Sequence, residues 1–346
     1  MSRAIPIKLR DAPLDRLQRP MHDLRISVLD RCNFRCPYCM PENDYPRDHP
    51  FLGKPERLRF EEIERIARAV STLGVRKLRL TGGEPLLRRE LPSLVRMLAA
   101  IPGIDDIAMT TNGSLLPAHV EGLRDAGLDR ITLSLDTLDP DAYRTLSGGR
   151  GEVADALAAI DAAEAAGYTS IKINCVVMRG VNDDHVLDLA NHFRGTAHVL
   201  RFIEYMDVGT CNAWDMASVV TSAELRTRIA LHWPMESLSS TYCGEVADRY
   251  RYSDGAGEIG FISSVSQPFC GDCSRARLSA DGRLYTCLFG QHGHDLRGAM
   301  RSGIEDAGLR EKIAAIWCVR RDRHSELRGV ITLAKRERVE MYEIGG

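Results

Sequence analysis

Short apolar runs alternate with amphipathic stretches through most of the first two hundred residues. The runs at 24–29, 77–81, 106–111, 130–136, 170–178 and 199–204 are rich in Leu, Ile and Val and are too short for helices, which predicts buried strands. Between them, 61–73, 91–100, 117–126, 153–166 and 184–193 carry apolar residues at helical spacing. Gly74, Gly127 and Gly167 follow three of these stretches, where a helix C-terminus favours glycine. Strand and helix in alternation imply a parallel sheet with helical crossovers, and six units suit an α/β fold of the partial (β/α)6 barrel type. We therefore divide the chain into a polar arm at 1–20, a barrel at 21–205 and an extension at 206–346 that folds over the open side.

Barrels of this kind gather their chemistry at the C-terminal ends of the strands. Conspicuous polar residues fall there repeatedly. Cys32 follows the first strand, Thr81-Gly82-Gly83-Glu84-Pro85 the second, and Thr110-Thr111-Asn112-Gly113 the third. Ser134-Leu135-Asp136 ends the fourth, and Arg201, Glu204 and Met206 lie along or after the sixth.

Composition narrows the classes of function. Hydrophobic residues make up 44% of the 346 and charged residues 27%, ordinary for a globular protein. A net charge of -2 gives no general case for nucleic acid or an anionic membrane, so any anion site is local. No helix-turn-helix or basic recognition helix is evident. No apolar run reaches membrane-spanning length, and the first 20 residues lack the apolar core of a secretory signal. A cytoplasmic location is expected. Ten cysteines without an export signal then point to reduced thiols and metal ligation rather than disulfides.

Six of those cysteines form two trios. Cys32, Cys36 and Cys39 are spaced C-x3-C-x2-C, and three such thiolates can hold three irons of a [4Fe–4S] cluster while leaving the fourth open. A structural zinc site with a distant fourth ligand is the alternative. Cys270, Cys273 and Cys287 form a second trio, C-x2-C-x13-C. Here His292 or His294 could close a Cys3His zinc site. Cys175, Cys211, Cys243 and Cys318 stand apart and read as packing residues.

The first trio, with an aromatic residue, Tyr38, just before its last cysteine, resembles the signature of radical S-adenosylmethionine enzymes. The second trio encloses Cys273-Ser274-Arg275-Ala276-Arg277, and the chain ends Gly345-Gly346. Together these resemble the GTP 3′,8-cyclase family, which begins molybdenum cofactor biosynthesis. The resemblance implies two [4Fe–4S] clusters, S-adenosylmethionine, and a 5′-deoxyadenosyl radical that takes the ribose 3′-hydrogen of GTP. It implies that Gly83, Tyr38, Ser134 and Met206 meet S-adenosylmethionine; a tight turn at Gly82-Gly83 and a core position for Met206 are the structural alternatives. It further implies an electron donor of unknown identity and, downstream, cyclic pyranopterin monophosphate synthase. A homodimer is left open. Another radical S-adenosylmethionine enzyme with an auxiliary cluster, such as a peptide maturase, is the alternative activity.

Basic residues on successive strands are the candidates for the anion site, with structural ion pairs, or a solvated patch for Arg275 and Arg277, as the alternatives. Arg25, Lys77, Arg79, Lys172 and Arg201 lie on predicted barrel strands, with Lys77 and Arg79 on one face by the period-two rule. A buried arginine there is costly unless paired or facing an anion. Arg275 and Arg277, also two apart, share a face, and guanidinium suits phosphate. By resemblance Arg79, Thr110, Lys172, Arg275 and Arg277 bind the triphosphate, with Arg25, Lys77 and Arg201 beside them. Arg275, Arg277, Gly345 and Gly346 are the expected catalytic group.

Overall fold

The computed structural model describes residues 12–242, 244–328 and 339–345. Twelve strands form one sheet: β1 (Asp23–Ser27), β2 (Lys77–Thr81), β3 (Asp106–Thr111), β4 (Arg130–Ser134), β5 (Lys172–Val177), β6 (Val199–Glu204), β7 (Met235–Leu238), β8 (Asp248–Tyr252), β9 (Glu258–Ile262), β10 (Arg275–Leu278), β11 (Arg283–Tyr285) and β12 (His294–Asp295). The first six lie side by side and parallel, as the alternation predicts. The helices are α1 (Phe60–Thr72), α2 (Leu91–Ala99), α3 (Val120–Asp125), α4 (Pro140–Leu146), α5 (Val153–Ala165), α6 (Val186–Phe193), α7 (Ser222–Ala230), α8 (Arg297–Arg301), α9 (Asp306–Cys318) and α10 (Met341–Ile344). The five predicted helices correspond to α1, α2, α3, α5 and α6. Gly74, Gly127 and Gly167 all take the positive φ of a helix end.

The segment after 205 extends the same sheet at both edges. β9 pairs in parallel with β6, and β10 in parallel with β1. Each then leads outward into antiparallel strands, β8 and β7 on one side, β11 and β12 on the other. The chain from β9 to β10 thus connects the two edges of the six-stranded sheet.

Packing explains the alternation. In β1 and β2, Leu24, Ile26, Leu78 and Leu80 are fully buried in the main core, while Asp23, Arg25, Lys77 and Arg79 point the other way, toward a cavity. α1 turns Ile63, Ile66, Ala67 and Val70 onto the same core. α9 packs beside α1 through Leu309, Ile313 and Trp317. Each fully buried Leu or Ile stabilises the fold by about 1.5–3 kcal/mol. Among the described residues no helix is long and apolar enough to cross a membrane.

Candidate active site

The first cysteine trio occupies the loop after β1. Arg35, almost fully buried, ties this loop together. Its Nε donates to the Tyr45 carbonyl at 2.7 Å, and its Nη1 to the carbonyls of Cys32 at 2.9 Å and Phe34 at 2.8 Å. The Cys39 N–H closes a turn onto Cys36 O at 3.0 Å, and the Phe34 N–H points at Cys32 Sγ at 3.4 Å. Burial, with Glu84 adding to it, pushes the Cys32 thiol up to about 12. Burial also raises Cys36 and Cys39, and in each case a neighbouring thiolate of the trio adds to the effect. The three sulfurs are therefore within electrostatic range of one another, unpaired as disulfides, and poorly able to ionise unless a cation joins them. Bound metal deprotonates such thiols outright, so the donor set fits an iron–sulfur cluster.

The Gly-Gly-Glu turn after β2 abuts this loop. A Cβ on Gly82 would fall 2.3 Å from Leu29 O, and one on Gly83 2.3 Å from Arg31 O. Both glycines are thus required by the chain's own turn, whatever else Gly83 contacts. Glu84 is buried; it accepts from the Thr111 hydroxyl at 2.8 Å and the Asn112 N–H at 2.9 Å, and burial lifts its pKa to about 7. Tyr38 donates its hydroxyl to Asp136 Oδ2 at 2.7 Å, and burial raises Asp136 to about 6. Ser134 lies in register with Asn174 of β5.

A cavity enclosing about 1390 Å3, open mouth included, fills the barrel beside the second trio. Cys270, Cys273 and Cys287 line it, as do Met206 and Thr110. The basic residues line it too, and the register explains why. Arg277, Arg25 and Arg79 are direct neighbours across β10, β1 and β2. Arg79 donates to the hydroxyls of Thr110 at 3.1 Å and Thr132 at 3.0 Å, and Lys77 sits 3.4 Å from the ring centre of Tyr242. Crowding shows in the ionisation. Burial, then Arg201, Arg130 and Arg79, pushes Lys172 down to about 7. Burial, then Arg79, lowers Arg201 to about 9; burial, then Arg275, does the same to Arg277. Arg25 is lowered by burial and then by Arg277. A cavity that holds this many facing cations is short of an anion.

Burial alone would raise the Cys273 thiol, but Arg275 and Arg320 outweigh it and bring it to about 6. Arg275 Nη2 lies 3.7 Å from that sulfur. Arg277 grips the chain terminus: its Nη1 donates to Gly345 O. A Cβ on Gly345, at φ +69°, would fall 2.0 Å from the Thr81 methyl, so only glycine fits there. Gly346 and Cys243 lie outside the described residues.

Sequence reasoning missed several residues at the site. Arg130 also lines the cavity, paired with Asp106, and Asn174 and Tyr242 join it; Arg130 opens a predicted strand, where an alternating face would have revealed it. One of the lone cysteines needs correction; Cys211 packs against the Met40, Tyr45 and Tyr342 cluster as expected. Cys175 is a core residue, but Cys318 is exposed. Cys211 sits beside the first trio, 3.1 Å from Glu340 Oε2 and 3.8 Å from Cys39 O, because the terminal segment folds back against that loop. His294 pairs with Leu284 at the outer sheet edge, and neither it nor His292 lines the cavity.

Comparison with known proteins fits these features. The Radical SAM superfamily model matches residues 26–193, and the Molybdenum Cofactor Synthesis C model matches 198–326. A GTP 3′,8-cyclase of Xanthomonas campestris pv. campestris (strain B100) is 56% identical over 339 residues, covering 98% of this chain and 99% of that one. The chain belongs to the GTP 3′,8-cyclase family. GTP 3′,8-cyclases of Acidothermus cellulolyticus (53% identity; 95% of this chain, 92% of that one) and Staphylococcus aureus strain JH9 (45%; 96% and 98%) extend the relationship. Streptococcus suis SuiB, solved bound to S-adenosylmethionine, shares the fold at a TM-score of 0.60 and 16% identity, over 86% of this chain and 69% of that one. Members of the GTP 3′,8-cyclase family are radical S-adenosylmethionine enzymes, so S-adenosylmethionine and an iron–sulfur cluster come with membership.

Proposed function

We propose that this chain cyclises GTP to (8S)-3′,8-cyclo-7,8-dihydroguanosine 5′-triphosphate, the first step of molybdenum cofactor biosynthesis. The observation that carries this reading is the single cavity that sets a second thiol trio against a crowded wall of cations. A triphosphate answers the cations, and a purine fits between them and the trio.

In this reading Cys32, Cys36 and Cys39 would hold one [4Fe–4S] cluster, and Cys270, Cys273 and Cys287 would hold a second that anchors the purine. When bound, the first cluster and S-adenosylmethionine together supply the 5′-deoxyadenosyl radical that takes the ribose 3′-hydrogen. The chain's own residues do the rest. Gly83, Tyr38, Ser134 and Met206 seat S-adenosylmethionine. Arg25, Arg79, Thr110 and Lys172 fix the triphosphate, so that the ribose is held and cannot turn. Arg275 and Arg277 neutralise charge near the guanine as its C8 bonds to C3′. The Gly345-Gly346 tail assists the reaction near these arginines, and Arg277 holds the Gly345 carbonyl. Reducing equivalents come from an electron donor of unknown identity, and cyclic pyranopterin monophosphate synthase takes the product.

Anaerobically reconstituted protein with S-adenosylmethionine, dithionite and GTP provides the test. Mass spectrometry should find both 5′-deoxyadenosine and a cyclised nucleotide isomeric with GTP. Deoxyadenosine without any GTP-derived product would sink the substrate assignment.

A further inference from the structure

Asp15, Arg19 and Arg320 do not line the cavity, yet all three side chains are almost fully enclosed. One Asp15 oxygen accepts from Arg19 Nε at 2.7 Å and from Arg320 Nη1 at 3.0 Å. Its other oxygen takes the backbone N–H groups of Leu17 and Arg19, each at 2.9 Å. The carboxylate thus joins two guanidinium groups that come from opposite ends of the sequence.

What those groups reach is the second trio. Arg19 Nη1 donates to the carbonyl of Cys270 and to that of Asp322 at 3.0 Å. Arg320 Nη1 donates to Cys273 O at 2.7 Å, and its Nε to the carbonyl of Thr286, the residue before Cys287, at 3.0 Å. The Thr286 hydroxyl donates to Asp322 at 2.6 Å. Every cysteine of the trio is therefore held at its own carbonyl or its neighbour's. Trp317 fixes the whole group to α9, with its ring 4.5 Å from the Arg320 guanidinium and its Nε1 donating to Arg19 O at 3.0 Å.

We propose that Asp15, Arg19 and Arg320 form a clasp that sets the spacing of Cys270, Cys273 and Cys287 for their cluster. They are positioning residues. The inference rests on reading the second trio as a cluster site. Fold stability alone is a poor reason for the arrangement, because a buried ion triad is often no better than apolar residues of the same volume. Fixing three loop carbonyls at once is a task for forked donors held rigid by a shared acceptor. Arg19 Nη2 is buried and finds no partner among the described residues.

The test counts iron in the anaerobically reconstituted full chain and reads the reduced clusters by electron paramagnetic resonance. The unaltered protein should hold about eight irons per chain. Asp15→Asn and Arg320→Met should each fall to about four, losing the second cluster's signal. The first cluster's signal and cleavage of S-adenosylmethionine should persist. Arg320→Lys keeps the charge but not the fork, and should recover less than half of the lost iron. The same variants made in a chain with Cys32→Ala, Cys36→Ala and Cys39→Ala report on the second site alone. Full second-cluster occupancy in both Asp15→Asn and Arg320→Met overturns the clasp. Parallel loss of both clusters also overturns it, since that marks a general folding defect. An unaltered chain with only about four irons would instead refute the reading of the second trio, and the clasp with it.

Discussion

The two cysteine trios are equal in number and differ in spacing and surroundings. The first is buried beside carboxylates: Glu84 acts on Cys32, Asp136 on Cys36 and Glu340 on Cys39, all in the direction that keeps a thiol neutral. The second is mixed: guanidinium groups bring Cys273 down to about 6 although burial opposes it, while burial and then Asp322 push Cys287 up to about 12. A negative setting suits a site that receives the sulfonium cation of S-adenosylmethionine. A positive setting suits a site that meets a polyanionic nucleotide. Spacing already distinguishes the trios, C-x3-C-x2-C against C-x2-C-x13-C, and their neighbours support the two tasks proposed for them.

The strongest way to break this comparison is to delete one trio at a time. Cys36→Ala should lower 5′-deoxyadenosine formation about a hundredfold or more, since the chemistry depends on the first cluster. Cys273→Ala should keep deoxyadenosine within about threefold while the cyclised nucleotide drops by about a hundredfold, because the proposed reading gives the substrate's base to the second site alone. Equal effects of the two changes on deoxyadenosine would mean that the sites are not divided in this way.

Arg277→Ala comes next. It removes both a cation from the belt and the donor to Gly345 O. Losing a charge-assisted hydrogen bond of about 1.5–3 kcal/mol should slow cyclisation by roughly 10–100-fold. Iron content should not change. A chain ending at Ile344 should share the loss in turnover but bind GTP nearly as well as the full chain, and equilibrium binding separates the two contributions.

Lys172 gives a smaller effect with a definite sign. Burial and neighbouring arginines hold it at about 7 in the free protein, so above that pH it is largely neutral. A bound triphosphate favours the ammonium, and binding then takes up a proton. Affinity for GTP should therefore fall by roughly tenfold between about pH 7 and pH 8.5. Lys172→Met removes this component, and the difference between the two profiles cancels the titration of the nucleotide's own phosphates. Parallel profiles would exclude Lys172 from the phosphate site.

The barrel was legible because its six strands are apolar runs between amphipathic helices. β9 and β10 were not. β10 is only Arg275–Leu278, with two of its four residues arginine, and its pairing joins Leu278 to Ile26 across most of the sequence. Local pattern carries no trace of such a contact. The basic belt was legible for the opposite reason, since charged residues alternating with Leu on a buried strand demand an explanation. Arg19 and Arg320 lie in polar, arginine-rich stretches that read as surface. Only the fold buries them against Asp15. The glycine pair at Gly82-Gly83 was visible, but its tight fit against Leu29 and Arg31 depends on how two loops meet.

The smallest expected effect tests the cost of the first site's negative setting. Asp136 is buried, and its pKa rises to about 6 from an ordinary 3.8. A raised carboxyl favours the fold in its neutral form. That contribution is complete below about pH 4 and is lost as pH climbs through about 6. The full shift corresponds to about 3 kcal/mol. In Asp136→Asn the amide can still accept from the Val176 N–H, as Asp136 Oδ1 now does at 2.8 Å, and can donate to the Tyr38 hydroxyl in place of accepting from it. The metal-free variant should match the parent in denaturant near pH 4 and exceed it by about 1–3 kcal/mol at pH 8. If the gap stays constant across that range, the carboxylate is solvated well enough to ionise freely. The negative character of the first site would then impose no cost on the fold.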